Sequence, residues 1–240
     1  MHEQPDSKAQ FHPTRWSLVH RVQSGGDDAA GALEELCREY WFPLYGWARR
    51  SGMSPADAED GVQGFFGDVI RKELFSKADE AKGRLRTFLL TVFRRHLNDQ
   101  RDRANAARRG ADKVYSFDAL AGEELYLAEA GVAPTADAFF DRHWALTILD
   151  LTMNRLEAEY AKRGKRADFQ QLRRYLTSEP EADFAGDGHA LGLSEGAVRV
   201  AIHRLRARFG QALREEVAST QGAHDDVDAE LAHLLRALES

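Results

Sequence analysis

Apolar residues recur every three or four positions along nearly the whole chain, and no stretch alternates convincingly between apolar and polar as a half-buried strand would. That period restricts the fold to the all-α class. With 240 residues there is room for one large domain or two small ones. "RWSLVHRV" and "ALEELCREYWFPLYGWARR" predict an opening helical pair, with Gly25, Gly26, Asp27 and Asp28 as the turn between them. Ser54 then suits a helix N-cap, Pro55 the first helical position, and Asp57 a capping box, so a new helix is predicted from here to about Phe75. "SKADEAKG" reads as a polar loop. "RLRTFLLTVFRRHLNDQRDRANAARR" reads as a long helix, apolar through Phe93 and basic beyond it.

The pattern weakens between Gly110 and Pro134, which predicts a linker that docks in places. Helical period resumes near Ala136 and runs through "FQQLRRYLT", then breaks sharply at "SEPEADFAGDGHA". After "LGLSEGAVRVAIHRLRARFGQALREEVA" and a polar gap, "VDAELAHLLRALES" predicts a short amphipathic helix with Val227, Leu231, Leu234, Leu235 and Leu238 on one face. Two helical domains joined by a linker fit best. Residues 1–13 are expected to be a disordered N-terminus, 14–109 and 135–218 the two domains, 110–134 the linker and 219–240 a C-terminal helical extension.

Compartment follows from what the composition lacks. The single cysteine, Cys37, lies in an apolar helical pattern, allows no intramolecular disulfide and reads as a small core residue in a reducing, cytoplasmic setting. "MHEQPDSKAQ" has no apolar centre and is not read as a signal peptide, and no apolar run approaches the roughly 20 residues of a membrane span.

The formal net charge of −6 argues at first against nucleic acid, but the distribution matters more than the sum. Between Arg94 and Arg109, six arginines (94, 95, 101, 103, 108, 109) face two aspartates; from Arg199 to Arg214, five arginines and His203 meet no acid. Acids collect elsewhere, at 57–60, 118–129, 179–187 and 225–230. Solvated helix faces would account for either basic run alone.

"LGLSEGAVRVAIHRLRARF" carries the most specific chemistry. Gly192 can adopt the turn conformation and Ser194 can cap the next helix. Ala197, Val198, Ala201, Ile202 and Leu205 form an apolar face, with Glu195, Arg199, His203, Arg204, Arg206 and Arg208 largely opposite. Turn, cap and basic outer face together make a helix-turn-helix, whose second helix enters the major groove. In "RTFLLTVFRRHLNDQRDR", Phe88, Leu89, Val92 and Phe93 form a buried face followed by arginines that can hold phosphates. Phe88 reads as core, or else as a platform on which an unpaired base stacks.

No enzyme constellation is present: there is no Walker loop, HExxH, CxxC or GxSxG. "GDGHALG" lacks a preceding strand and a lysine, so it is not read as a phosphate loop. Asp57, Glu59 and Asp60 lack neighbouring histidines or EF-hand spacing, so no metal or other cofactor is expected.

One stretch contradicts itself. "DAEDGVQGFFGDVI" at 57–70 is laid out as a helix, yet Gly61, Gly64 and Gly67 each cost roughly 1 kcal/mol relative to alanine.

Together these motifs resemble a bacterial sigma factor of the extracytoplasmic-function type in the sigma-70 family, over almost the whole chain. "SPADAEDGVQGFF" resembles that family's helix for the RNA polymerase clamp, "LRTFLLTVFRRHLNDQRDR" the segment that melts and reads the −10 element, and "LGLSEGAVRVAIHRLRARF" the helix-turn-helix that reads the −35 element. The opening "TRWSLV" and the closing "VDAELAHLL" are similar to a subgroup associated with Ser/Thr kinases and often without a classical anti-sigma partner. The resemblance implies a sigma2-like helical bundle at 14–109 and a sigma4-like domain at 135–218. It implies as partners the core polymerase (its β′ clamp helices), promoter DNA and a Ser/Thr kinase or other regulator, with no membrane and no catalytic residue of its own.

Residue by residue, the resemblance implies core-polymerase binding by Asp57, Glu59, Asp60, Gln63, Gly64 and Asp68, with Phe65, Phe66 and Ile70 anchoring the helix and the glycines leaving flat backbone for a partner. It implies −10 contacts by Arg86, Thr87, Phe88, Arg94, Arg95, Asn98, Asp99, Arg101 and Arg103, with an extruded base captured near the 76–86 loop. It implies −35 contacts by Ser194, Glu195, Arg199, His203, Arg204, Arg206 and Arg208. The chain departs from the pattern at Val62, which stands where related proteins carry a phosphorylatable threonine, and at Gly64, where they carry an acid. It departs again at Arg95, where many carry asparagine, and at Asp187 and Gly188, where an apolar residue and alanine are usual, so the first helix there is expected to be short or frayed.

A stand-alone helix-turn-helix regulator would use 190–214 without needing the 57–70 surface; a sigma-like interaction protein inactive on DNA would suit the acidic balance. The terminal helix either caps the second domain or holds the two domains together in an inactive state.

Overall fold

Among the described residues the helical period of the sequence is realised. The computed structural model describes residues 15–25, 27–71, 75, 78–80, 83–106, 119–129, 131, 133–177, 183–222 and 225–239, and among them every regular element is an α-helix. Residues 1–13, Arg108 and Arg109 lie outside the described residues, as do the side chains of Ile70 and Arg103.

The helices are α1 (Arg15–Ser24), α2 (Asp27–Arg50), α3 (Pro55–Arg71), α4 (Leu85–Ala106), α5 (Ala119–Ala128) and α6 (Ala136–Lys162). They continue with α7 (Arg166–Leu172), α8 (Arg174–Thr177), α9 (Phe184–Leu191), α10 (Glu195–Ser219) and α11 (Val227–Glu239). The opening turn is tighter than expected: Asp27 and Asp28 already belong to α2, and Gly25 takes φ 67°, a left-handed value that glycine adopts without penalty.

Two apolar cores organise these helices. The larger gathers α1 to α4 around Trp16, Leu36, Leu44, Phe65 and Phe93, and continues into α6 through Phe140, Trp144 and Ile148. Tyr40 of α2 stacks on Trp144 of α6 with ring centroids 4.7 Å apart, so large buried aromatic surface joins the segments before and after residue 110. The smaller core gathers Leu156, Phe169, Leu172, Val198, Ile202 and Leu205. One helix serves both: α6 has 27 residues, about 40 Å at 1.5 Å per residue, its first half in one core and its second in the other.

Part of the expected linker is helical and docked. In α5, Gly122 lies against the indole of Trp41, where a Cβ would come within 2.7 Å of the ring. Glu123 receives Arg49 through both oxygens at 2.9 and 2.8 Å and the Tyr45 hydroxyl at 2.5 Å. Cys37 is buried in the larger core, and that burial pushes its thiol up to about 12. Among the described residues, no helix is long and apolar enough to cross a membrane.

Candidate nucleic-acid interface

Helix α3 begins as its sequence dictates. The Ser54 hydroxyl accepts the Asp57 backbone N–H at 3.1 Å and donates to the Asp57 carboxylate at 2.6 Å, a reciprocal cap. Asp57 and Asp60 are exposed, and Glu59 is half-buried and receives the Gln63 amide at 2.8 Å. Phe65 and Phe66 are buried as anchors, and so is Val62.

The glycines correct the expectation. They do not leave open backbone for an outside partner; they let α4 approach. A Cβ on Gly61 would come within 2.7 Å of Leu97, one on Gly64 within 2.6 Å of the Gln100 amide, and Gly67 is buried. Gly64 therefore belongs to the α3–α4 contact rather than to a docking surface. So does Asp68, whose carboxylate stands 3.3 Å from Nδ1 of the buried His96. The acids left facing outward are Asp57, Asp60 and part of Glu59.

Helix α4 divides its expected DNA-binding residues in two. Thr87, Arg95, Asn98, Asp99 and Arg101 are exposed. Phe88 is packed between Trp16 and Phe75, at centroid distances of 5.6 and 5.5 Å, so its ring belongs to the core and not to a stacking platform. Arg86 is turned inward, with 12% of its side chain exposed: Nη1 donates to Asp141 of α6 at 2.7 Å and Nε to Glu230 of α11 at 2.6 Å. Burial opposes its charge, but these two carboxylates outweigh that and raise its pKa further. Arg94 lies over the Trp47 ring at 5.0 Å and pairs with Asp137, which also accepts the Trp47 indole N–H at 2.7 Å. Burial pushes Asp137 up, yet the bonds from Arg94 and Trp47 hold it below the usual carboxylate range.

The 76–86 edge, where a captured base was expected, is described in part. There the Leu85 N–H donates to the Thr220 carbonyl at 2.9 Å, and Thr220, Gln221 and Gly222 are buried. A hollow of about 660 Å³ lies elsewhere, lined by Asp150, Met153, Asn154, Arg173 and Arg174.

Two capped helices joined by a tight turn stand where the helix-turn-helix was expected. Helix α9 forms over eight residues, within the stretch where the helical period breaks, and is short, as expected, but capped rather than frayed. Asp183 caps it by accepting the Gly186 N–H at 2.8 Å. The "GDG" is structural. Asp187 is 1% exposed and receives Gln171 at 2.6 Å, Arg174 at 2.7 and 2.8 Å and the Tyr175 hydroxyl at 2.5 Å. Burial raises this carboxyl, but the bonds from Tyr175, Gln171 and Arg174 together hold it low. Gly188 is buried against the turn, where a Cβ would come within 2.6 Å of the Leu193 carbonyl oxygen. Gly192 then turns the chain at φ 65° and Ser194 caps α10 by accepting the Ala197 N–H at 3.3 Å.

On α10, Val198, Ile202 and Leu205 are buried as expected, and Ser194, Glu195, Arg199, His203 and Arg204 are exposed. Arg199 also lies over the Phe184 ring at 4.5 Å, which sets its direction. Arg206 is exposed, but its Nε donates to the Tyr175 carbonyl at 3.0 Å. Arg208 departs from the outer face. Its Nε donates to Glu159 of α6 at 2.9 Å, and it joins an ion-pair network through Glu215, Arg155 and Glu216 to Arg15 and Glu39. In that network burial raises Glu39 to about 7, against the opposing pull of Arg15.

Sequence reasoning missed Asp137, Asp141 and Glu230 as partners of the basic segment. Arg86 and Glu230 are 144 positions apart, and no local pattern links them. Among the described residues, no group of three or more metal-ligating side chains is present. No protein-family model, curated protein or solved structure matches this chain.

Proposed function

We propose that the chain is a sigma factor that docks on core RNA polymerase and directs promoter-specific initiation. One observation carries the reading: a capped helix-turn-helix holds Glu195, Arg199, His203 and Arg204 on the open face of its second helix, the layout that reads a major groove. The exposed acids at the start of α3 supply a surface of opposite sign for a basic protein partner. In this reading residues 14–109 hold the −10 DNA through Arg95, Asn98, Arg101 and neighbouring residues, residues 135–218 read the −35 element, and no metal or catalytic group is required.

Co-purification with core polymerase and run-off transcription test it. Arg199→Ala and Arg204→Ala should abolish promoter-specific transcription and leave core binding intact; loss of core binding instead would overturn the assignment. The internal pairing of Arg86 and Arg94 favours a second reading, a sigma-like interaction protein inactive on DNA. Open-complex formation on a promoter separates the two, since only the first reading requires it.

A further inference from the structure

Beyond α10 the chain doubles back over the start of α4. The Thr220 carbonyl accepts the Leu85 N–H at 2.9 Å, and Gly222 lies so close to Glu80 and Gly83 that a Cβ on it would run into the Glu80 carbonyl oxygen. Helix α11 follows and seats Leu234, buried, with Leu231 and Leu238 against Ala145, Ile148, Leu149 and Leu213. From the same helix Glu230 reaches down, its side chain fully buried, and accepts Arg86 Nε at 2.6 Å and Arg84 Nη1 at 2.9 Å. The second carboxylate on Arg86, Asp141, accepts it at 2.7 Å, and its other oxygen stands 2.9 Å from His233. One charge cluster thus ties α4, α6 and α11 together.

Leucines alone would suffice for a cap. A buried ion pair adds little net stability over an apolar pair of the same shape, because desolvating the charges offsets their attraction. What the carboxylate adds is exchangeability: it occupies two arginines with an anion that a DNA phosphate can replace. We propose that Thr220 to Gly222 and helix α11 form an autoinhibitory strap, in which Thr220 and Gly222 cover Glu80, Gly83 and Leu85 and Glu230 occupies Arg84 and Arg86 in place of DNA phosphate. The role assigned to the covered edge rests on the sigma-factor reading of α4. In the closed state the arginines and the edge beside them are withheld; promoter DNA on the docked polymerase competes for them and releases the strap. A strap closed 90% of the time lowers apparent affinity about 10-fold.

Two full-length variants test the strap without touching a DNA-reading residue. Gly222→Val drives a side chain into the Glu80 carbonyl; Glu230→Gln keeps the shape and removes the charge. Hydrogen exchange is followed by peptide and run-off transcription with core polymerase is measured at limiting protein. The expected result is faster exchange confined to 83–90 and 220–239, about 10-fold, with α6 and α10 still protected, and a rise of about 10-fold in promoter-specific transcription. Loss of protection throughout the chain in both variants would make the segment a plain structural cap and overturn the strap, as would unchanged exchange at 83–90. Confined opening without increased transcription, where the unaltered chain transcribes, would overturn its inhibitory role. If no form transcribes while opening is confined, the sigma reading falls and the releasable strap stands.

Discussion

The two basic segments look alike on paper and differ in the folded chain. Along α10, Arg199, His203 and Arg204 are exposed and form no ion pair with a carboxylate among the described residues, because α10 spends its apolar stripe on the small core and leaves the opposite face to solvent. Along α4, Arg86 and Arg94 are held by Glu230, Asp141 and Asp137, carboxylates of α6 and α11. A run of arginines therefore measures a potential for binding anions, and tertiary structure decides whether the chain's own acids have already taken it. Arg94, 42% exposed on a surface pair, is held weakly; Arg86, 12% exposed between two carboxylates, is held firmly.

That contrast breaks first on stability. Arg86→Ala leaves Glu230 buried with only Arg84 and should lower the unfolding free energy by about 3 kcal/mol, whereas Arg204→Ala should change it by less than about 0.5 kcal/mol. Equal losses in urea titrations would mean the two segments are not differently engaged. Next, Asp187→Ala leaves the Tyr175 hydroxyl and Gln171 amide without their acceptor and should cost about 2 kcal/mol, with the loss of protection concentrated in α7 to α10. A neutral result would return the "GDG" to an incidental role.

The network that holds Arg208 gives stability a dependence on pH. The folded-state pKa of Glu39 is about 7, above the usual carboxylate value near 4.5, so the folded chain binds the extra proton between these limits. Its contribution favours folding at low pH and declines as pH rises from about 4.5 to about 7. Glu39→Gln should flatten that decline and raise stability by about 1 kcal/mol at pH 8. An unchanged pH profile would show the carboxyl to be solvated. The smallest effect belongs to Gly64→Ala. The gain in helix propensity, about 1 kcal/mol, is partly offset by displacing the flexible Gln100 amide, so a net gain under about 1 kcal/mol is expected with core binding unchanged. Weaker core binding would restore Gly64 to the docking surface.

What the sequence made legible was carried by residues within a few positions of each other. The Ser54–Asp57 cap, the Gly192 turn, the Ser194 cap and the Val198, Ile202 and Leu205 stripe all appear as read. What it concealed depends on distant partners. Helix α9 forms through Asp187, whose partners lie 12 to 16 positions upstream. The α3 glycines gave no indication of whether their flat face met a stranger or α4. Leu235, placed on the apolar face of the last helix, is 48% exposed, because α6 and α10 accommodate Leu231, Leu234 and Leu238 more closely.

Run-off transcription by purified core polymerase over a randomised promoter library is the decisive measurement of sequence-specific initiation by this chain. The unaltered chain should enrich a defined pair of elements, with the upstream preference lost in Arg199→Ala and Arg204→Ala. Transcription without sequence enrichment, or enrichment that survives both substitutions, would contradict the sigma-factor reading.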